Sequence, residues 1–462
     1  MKTPTKTLLK PLSLGLFVAA TLLTQSAHIQ TSPPSNTLPA TGPSPSFCKA
    51  IGGEGKDKGY SLIQTSDGGY VIAGYTESFG AGETDVYVVK LDAHGNLQWT
   101  KTIGGENEDV GTSLIQTSDG GYAIAGYTKS FGAGKADVYV VKLDANGNLQ
   151  WTKTIGGPES DYGESLIQTS DGGYAITGST TKSFVIGGEY SSVADVYVVK
   201  LDANGNLQWT KTIGGPASEE GNSLIQISDS GYAIAGSTTS FGAGGGDVYL
   251  VKLDAHGNLR WTKTIGGPGY EKGYSLIQTS DGGYAIAGYT TSFGAGDYDV
   301  YVFKLDANGN LQWTKTIGGP GSDRGYSLIQ TSDGGYAIAG FTYSFGEGRA
   351  DVYVVNLDAN GNLHWTKTIG EEFADEGYSL IQTSDGGYAI AGYTRSFGVK
   401  WEDVYVIKLD KNGHACCAVS QTSQVRSGGK LGSPTSSVDS RGTLTSPTPS
   451  TSSGGTLTDQ CQ

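Results

Sequence analysis

An all-β fold, a seven-bladed β-propeller of four-stranded antiparallel blades with the ring closed by the N-terminal strand, follows from three observations. The segment SLIQTSDGGY begins at Ser61 and returns at Ser113, Ser165, Ser275, Ser327 and Ser379, with a diverged copy, SLIQISDSGY, at Ser223. The copies are spaced by 52 residues, except for one gap of 58 between Ser165 and Ser223. Every copy divides into four strand-like runs between turn signals, and none shows helical periodicity. The first and last copies are incomplete in complementary ways.

In the first copy, Tyr60 to Thr65 reads as a strand ended by the turn Ser66-Asp67-Gly68-Gly69. Tyr70 to Thr76 is the second strand, followed by the Gly-rich loop Ser78 to Gly82. Asp85 to Leu91 is the third, apolar on both faces as expected for a strand held between neighbouring sheets. Asp92 to Asn96 is the next turn, and Leu97 to Ile103 the fourth strand. Gly-Gly, Asp-Gly and Asn-Gly supply the positive φ that tight hairpins require. Closure rests on the ends. Phe47 to Gly53 aligns with Trp99 to Gly105, a lone fourth strand ahead of the first full unit. The seventh unit keeps Asp403 to Asp410 but has His414-Ala415-Cys416-Cys417 where a Trp strand is due. The N-terminal strand then completes the last blade, which removes the exposed edges an open solenoid would leave. Cys48 is thereby placed near Cys416 and Cys417, and a disulfide between Cys48 and one of them is expected at the seam.

Outside the repeats the composition changes. Residues 1–26 have basic Lys2, Lys6 and Lys10, a short apolar run from Leu12 to Leu23 and small residues for cleavage, the pattern of a secretory signal too short to span a bilayer. Residues 27–46 read as a Ser/Thr/Pro-rich linker, 47–418 as the propeller, and 419–462 as a disordered Ser/Thr/Gly/Pro-rich tail. The formal net charge is −14, and −14 − 3 = −17 without the three leader lysines. Such a surface repels phosphate, which excludes nucleic acid as a partner and disfavours anionic membranes. The expected setting is secreted, at the cell surface or periplasmic, and a monomer is expected.

The pattern GG…DxGYSLIQTSDGGYAIAGYT…DVYVVKLDANGNLQW resembles the bacterial and archaeal seven-bladed propeller repeat called SBBP, over residues 47–410. The resemblance implies an extracellular propeller with a binding or structural role. It supplies no catalytic residues.

Residues constant in every copy read as scaffold. Trp99, Trp151, Trp209, Trp261, Trp313 and Trp365 hold one position mid-strand and suit packing between blades better than sugar stacking. The aspartates opening the third strand (Asp85 and its counterparts) and the lysines closing it (Lys90 and its counterparts, with Asn356 the exception) suit turn capping and local pairing. Asp144-Ala145-Asn146-Gly147-Asn148 resembles the start of a calcium loop but lacks the later Glu of an EF-hand, so calcium is only weakly signalled and no cofactor is expected. CxxC spacing is absent, which argues against zinc. The five histidines have no Ser or Cys partner from which to build a triad.

Differences between copies carry the functional reading. The loops between the fourth and first strands, and between the second and third, vary in sequence and emerge on one face; the near-constant turns emerge on the other. Trp401, Tyr270, Tyr298, Tyr162 and Phe373 in those loops, with Tyr190 in the six-residue insertion, are the candidate binding residues for an extracellular protein or glycan. The expected function is a non-catalytic scaffold presenting this acidic, aromatic face. Two alternatives stand beside it: a polysaccharide hydrolase or lyase using carboxylates near the central channel, and a structural envelope component.

Overall fold

The computed structural model describes residues 46–186, 189–398, 400–414 and seven short segments between 418 and 459. The expected leader and nearly all of the linker lie outside them. Strand β1 is Phe47–Gly52, β2 Asp57–Gln64, β3 Tyr70–Thr76, β4 Asp85–Leu91 and β5 Leu97–Gly104. Strands β2 to β5 pair antiparallel in order and form the first blade; the same meander is repeated around the ring. The last blade consists of Asp375–Gln382, Tyr388–Thr394 and Asp403–Leu409, and β1 completes it, with Cys48 opposite Ile407 and Ala50 opposite Tyr405. Ser46 Oγ donates to the His414 carbonyl at 3.2 Å, so the two ends of the ring touch. The fold is therefore the seven-bladed propeller expected, closed by the N-terminal strand.

Apolar clusters between adjacent blades hold it together. Val71, Ala73, Val86 and Val88 of the first blade pack with Leu114, Tyr122, Ile124 and Tyr139 of the second. All seven residues of β4 are buried, as its two-sided apolar pattern requires. Each fully buried aliphatic side chain contributes about 1.5–3 kcal/mol. The tryptophans are interblade packing: Trp151 meets Tyr174 edge-on at 5.9 Å, and Trp365 meets Tyr388 at 5.8 Å. Phe47 stands in the seventh tryptophan position and meets Tyr70 at 5.9 Å.

The constant SLIQ segment is explained by two sets of polar links. The Ser61 hydroxyl accepts the Leu114 amide of the next blade at 3.0 Å, and the same bond recurs at every boundary, ending with Leu62 N–H to Ser379 Oγ at 3.0 Å. Gln168 Oε1 accepts the Ser118 amide of the preceding blade at 2.9 Å, and Gln64 does the same for Ser384 across the seam. The lysine–aspartate reading holds as well. Buried Lys142 reaches Asp119 at 2.9 Å and the Leu143 carbonyl at 3.0 Å, while Asn356 instead donates to Tyr388 OH at 3.1 Å.

The tail, expected to be disordered from its composition, contains described segments that pair with the blades. Ala418–Gln421, Gln424–Arg426, Lys430–Gly432, Ser437–Asp439, Thr443–Thr445, Ser450–Ser452 and Thr456–Asp459 each add an antiparallel fifth strand to one blade, running from the sixth blade back to the first and then to the seventh. Composition forbids this segment a core of its own. Strand addition needs only backbone groups, and the outer edge of each blade supplies them. Cys48 is fully buried and is not free. Cys416 and Cys417 lie outside the described residues, so the expected pairing stays a proposal. Among the described residues no helix is long and apolar enough to cross a membrane.

Candidate functional site: an eccentric central channel

The first strand of each blade lines the axis, and its sequence adapts it to that place. A β-bulge between Gly59 and Ser61 recurs in all seven first strands. The bulge turns Ser61 toward its neighbour and leaves Tyr60 half-buried at the axis. Close approach of β2 to β3 requires Gly74, where a Cβ would sit 1.7 Å from the Lys58 carbonyl oxygen.

The axial position just before the Ser of each SLIQ segment varies strongly. Tyr274, Tyr326, Tyr378 and Tyr60 occupy it in four consecutive blades and form a chain of ring contacts at 4.8, 5.1 and 5.1 Å. Thr112, Glu164 and Asn222 occupy it in the other three. The tyrosines fill one side of the channel and the smaller groups leave the other open. The result is an off-axis cavity of about 870 Å³, whose wall also includes Tyr127, Tyr162 and Glu220.

Most polar groups in this wall are already engaged. Thr112 Oγ1 donates to the Gly163 carbonyl at 2.7 Å, and Asn222 Nδ2 to the Gly273 carbonyl at 2.8 Å. Glu220 is paired with Lys272, and Tyr127 OH donates to Glu108 at 2.5 Å. Glu164 is different. Solvent reaches it along the channel, yet protein surrounds its carboxyl; this desolvation pushes it up to about 7, with Lys272 opposing and Glu220 adding to the rise, and no hydrogen bond contributes.

At the rim, the two variable loop sets do share one face. Isolated bridges join Thr84 to Glu108, Gly246 to Tyr270 and Tyr298 to Ser322. The loops are pinned: Gly53 N–H and Ser78 Oγ donate to Asp57 at 2.8 and 2.6 Å, and Ser78 Oγ accepts the Gly55 amide at 2.9 Å. Asp85 caps its own loop through the Ala81 amide at 2.8 Å. On the other face, Asp144 is spent on its turn, accepting the Asn146 and Asn148 amides at 2.8 Å each.

The sequence-derived candidates separate into two groups. Tyr162 lines the cavity and meets Tyr127 edge-on at 4.9 Å. Tyr298 meets Tyr289 at 5.0 Å and lies under the Arg324 guanidinium at 4.3 Å. Trp401, Tyr270 and Phe373 are 47%, 58% and 48% exposed in separate loops, and no ring contact joins them among the described residues. Exposed Tyr343 belongs with them and was not singled out. Tyr190 pairs by backbone with Val185 in the lengthened hairpin Tyr174–Ile186 and Glu189–Leu201; its side chain lies outside the described residues. Glu164 and the axial tyrosines were missed. Their signal was present: Tyr60, Thr112, Glu164 and Asn222 occupy one of two strongly changing positions in a first strand that otherwise barely varies, the other being held by Lys58, Val110, Tyr162 and Glu220.

Comparison with known proteins gives several matches. Residues 65–97 match a β-propeller domain of unknown function, DUF5122. The regulatory protein FlaEY of Caulobacter vibrioides is 27% identical over 248 residues, 48% of this chain, and the match spans only 25% of FlaEY. Among solved structures, the Pan2 WD40 domain of Neurospora crassa is 11% identical at TM-score 0.46, covering 77% of this chain and 89% of that one. Sqt1 of Chaetomium thermophilum is 14% identical at TM-score 0.44, covering 76% and 82%. Residues 194–445, more than half of the sequence, match the PQQ_2 family, and the chain belongs to this family of β-propeller repeats, described as outer membrane protein assembly factor BamB.

Proposed function

We propose that the protein is a rigid, non-catalytic binding scaffold of the cell envelope, and that its ligand enters the eccentric channel. One observation carries this reading: Glu164 is a carboxyl to which no hydrogen bond contributes, inside a tyrosine-walled cavity most of whose other polar groups are engaged. The ligand that complements it offers N–H or O–H donors to a carboxylate and apolar surface to aromatic rings. A lysine or arginine side chain of a partner protein does both. The exposed Trp401, Tyr270 and Phe373 then serve as outlying contacts at the rim. Envelope placement rests on the leader-like residues 1–26 and agrees with the family's description; kinship with SBBP-type repeats is a narrower proposal of the same kind.

The test is calorimetric titration of the purified protein with acetyl-lysine methyl ester and acetyl-arginine amide. Binding is expected at pH 8, weakened about tenfold at pH 5.5 as Glu164 takes up its proton, and lost in Glu164→Gln. Equal binding by parent and variant removes Glu164 from the site.

A second reading is favoured by the same residue. A carboxyl raised to about 7 by burial, with a second carboxyl, Glu220, in the same cavity wall, suits the general acid that glycoside cleavage uses. Release of reducing sugar from polysaccharides, abolished by Glu164→Gln, would establish this reading in place of the first.

A further inference from the structure

The tail is compositionally plain, yet its bulky aliphatic residues are regularly placed. Between 418 and 462 they are Val419, Val425, Leu431, Val438, Leu444 and Leu457, at intervals of 6, 6, 7, 6 and 13 residues. Every one falls in a segment paired with the outer strand of a blade. Val425, Leu431, Val438, Leu444 and Leu457 stand directly opposite Ile317, Ile265, Ile213, Ile155 and Ile51, all fully buried. Val419 is offset by one, with Ala418 opposite Ile369. The long interval contains Thr451, opposite Ile103. Six or seven extended residues reach at most about 20–25 Å, a step from one blade to the next. The sequence period matches the blade register.

We propose that the outer rim of the ring is a seven-site strand-docking surface whose ligand is the chain's own C-terminal segment, each site reading a segment of three or four residues that carries Val, Leu or, once, Thr. A three-residue ladder is weak by itself. Seven joined by short connectors act together, because each docked segment holds the next at high effective concentration. The arrangement also covers seven edges that would otherwise accept strands from other chains. Specificity lies in spacing: shifting an aliphatic residue by one position turns it to the opposite face of the sheet.

Hydrogen–deuterium exchange on the full-length protein tests this. In the parent, amides of the seven paired segments are expected to exchange at least tenfold more slowly than a free chain. The variant Val425→Ser/Leu431→Ser/Val438→Ser/Leu444→Ser is expected to lose that protection along the tail while the blade amides keep theirs. The variant Leu431→Ser/Gly432→Leu, which keeps the leucine but moves it by one residue, is expected to lose protection at 430–432 alone. Free-chain exchange throughout the parent tail overturns the proposal. Full protection in the fourfold variant overturns the role of the aliphatic residues, and full protection in the shifted variant overturns the reading of spacing.

Discussion

The Ser379 hydroxyl accepts the amide of Leu62 at 3.0 Å, joining the last first-strand of the ring to the first across 317 positions of sequence. Six equivalent bonds complete the circle. Ser379→Ala leaves the partly buried Leu62 amide unpaired and is expected to cost about 1 kcal/mol. Urea unfolding of the variant measures it. Ser223→Ala is expected to cost the same, because a closed circle has no weakest joint by construction. An unchanged urea midpoint for Ser379→Ala would show that this bond does not help to hold the seam.

Ser230 is the one described residue other than glycine with positive φ, at 64°. It stands where the other copies place a glycine such as Gly68, at 81°. A side chain strains this backbone, so Ser230→Gly is expected to stabilise by up to about 1 kcal/mol, reduced by the extra freedom glycine has when unfolded. A lower melting temperature in the variant would contradict this.

The blade plan was legible in the sequence because turn glycines and alternating apolar runs are local signals. The closing strand was legible because Phe47 to Gly53 repeats the pattern of a fourth strand. A central channel is expected from the fold, but its off-axis opening is not legible in the loops, because the variation that makes it sits inside a strand at Tyr60, Thr112, Glu164 and Asn222. Which of these leaves space depends on side-chain volume summed around an axis, and no single repeat displays that. The Ser and Thr content of the tail speaks only for disorder. Val425, Leu431 and Val438 carry the missed period, but its meaning appears only against the spacing of the blades.

Buried carboxyls should give stability an unusual dependence on pH. Burial, then the nearby Asp375, pushes Asp351 from 3.8 up to about 7. Between these values the folded protein holds a proton that the unfolded chain releases, so Asp351 makes stability fall as pH rises from about 4 to about 7. Asp351→Asn is expected to raise the melting temperature at pH 8 relative to the parent, with little change at pH 4. Asp281 acts oppositely: its hydrogen bond from Lys304 holds it at about 2, so its contribution is present above pH 4 and lost as pH falls toward 2. Melting curves across pH 3–8 for parent and Asp351→Asn distinguish the two trends, and parallel curves would refute the assignment to Asp351.

Ser46 and His414 meet where the ring closes, and the disulfide proposed for that seam joins Cys48 to Cys416 or Cys417. Cys48→Ser is expected to reduce stability by roughly 2–4 kcal/mol without reductant and to match the reduced parent when reductant is present. Equal melting temperatures for variant and parent under oxidising conditions would show that no bridge at Cys48 contributes.

Strand β1 lies between Asp403–Leu409 on one side and Thr456–Asp459 on the other. The chain therefore enters and leaves the disk through the same sheet. Tension applied between its two ends is borne by that sheet first, and the six others carry no load until it yields.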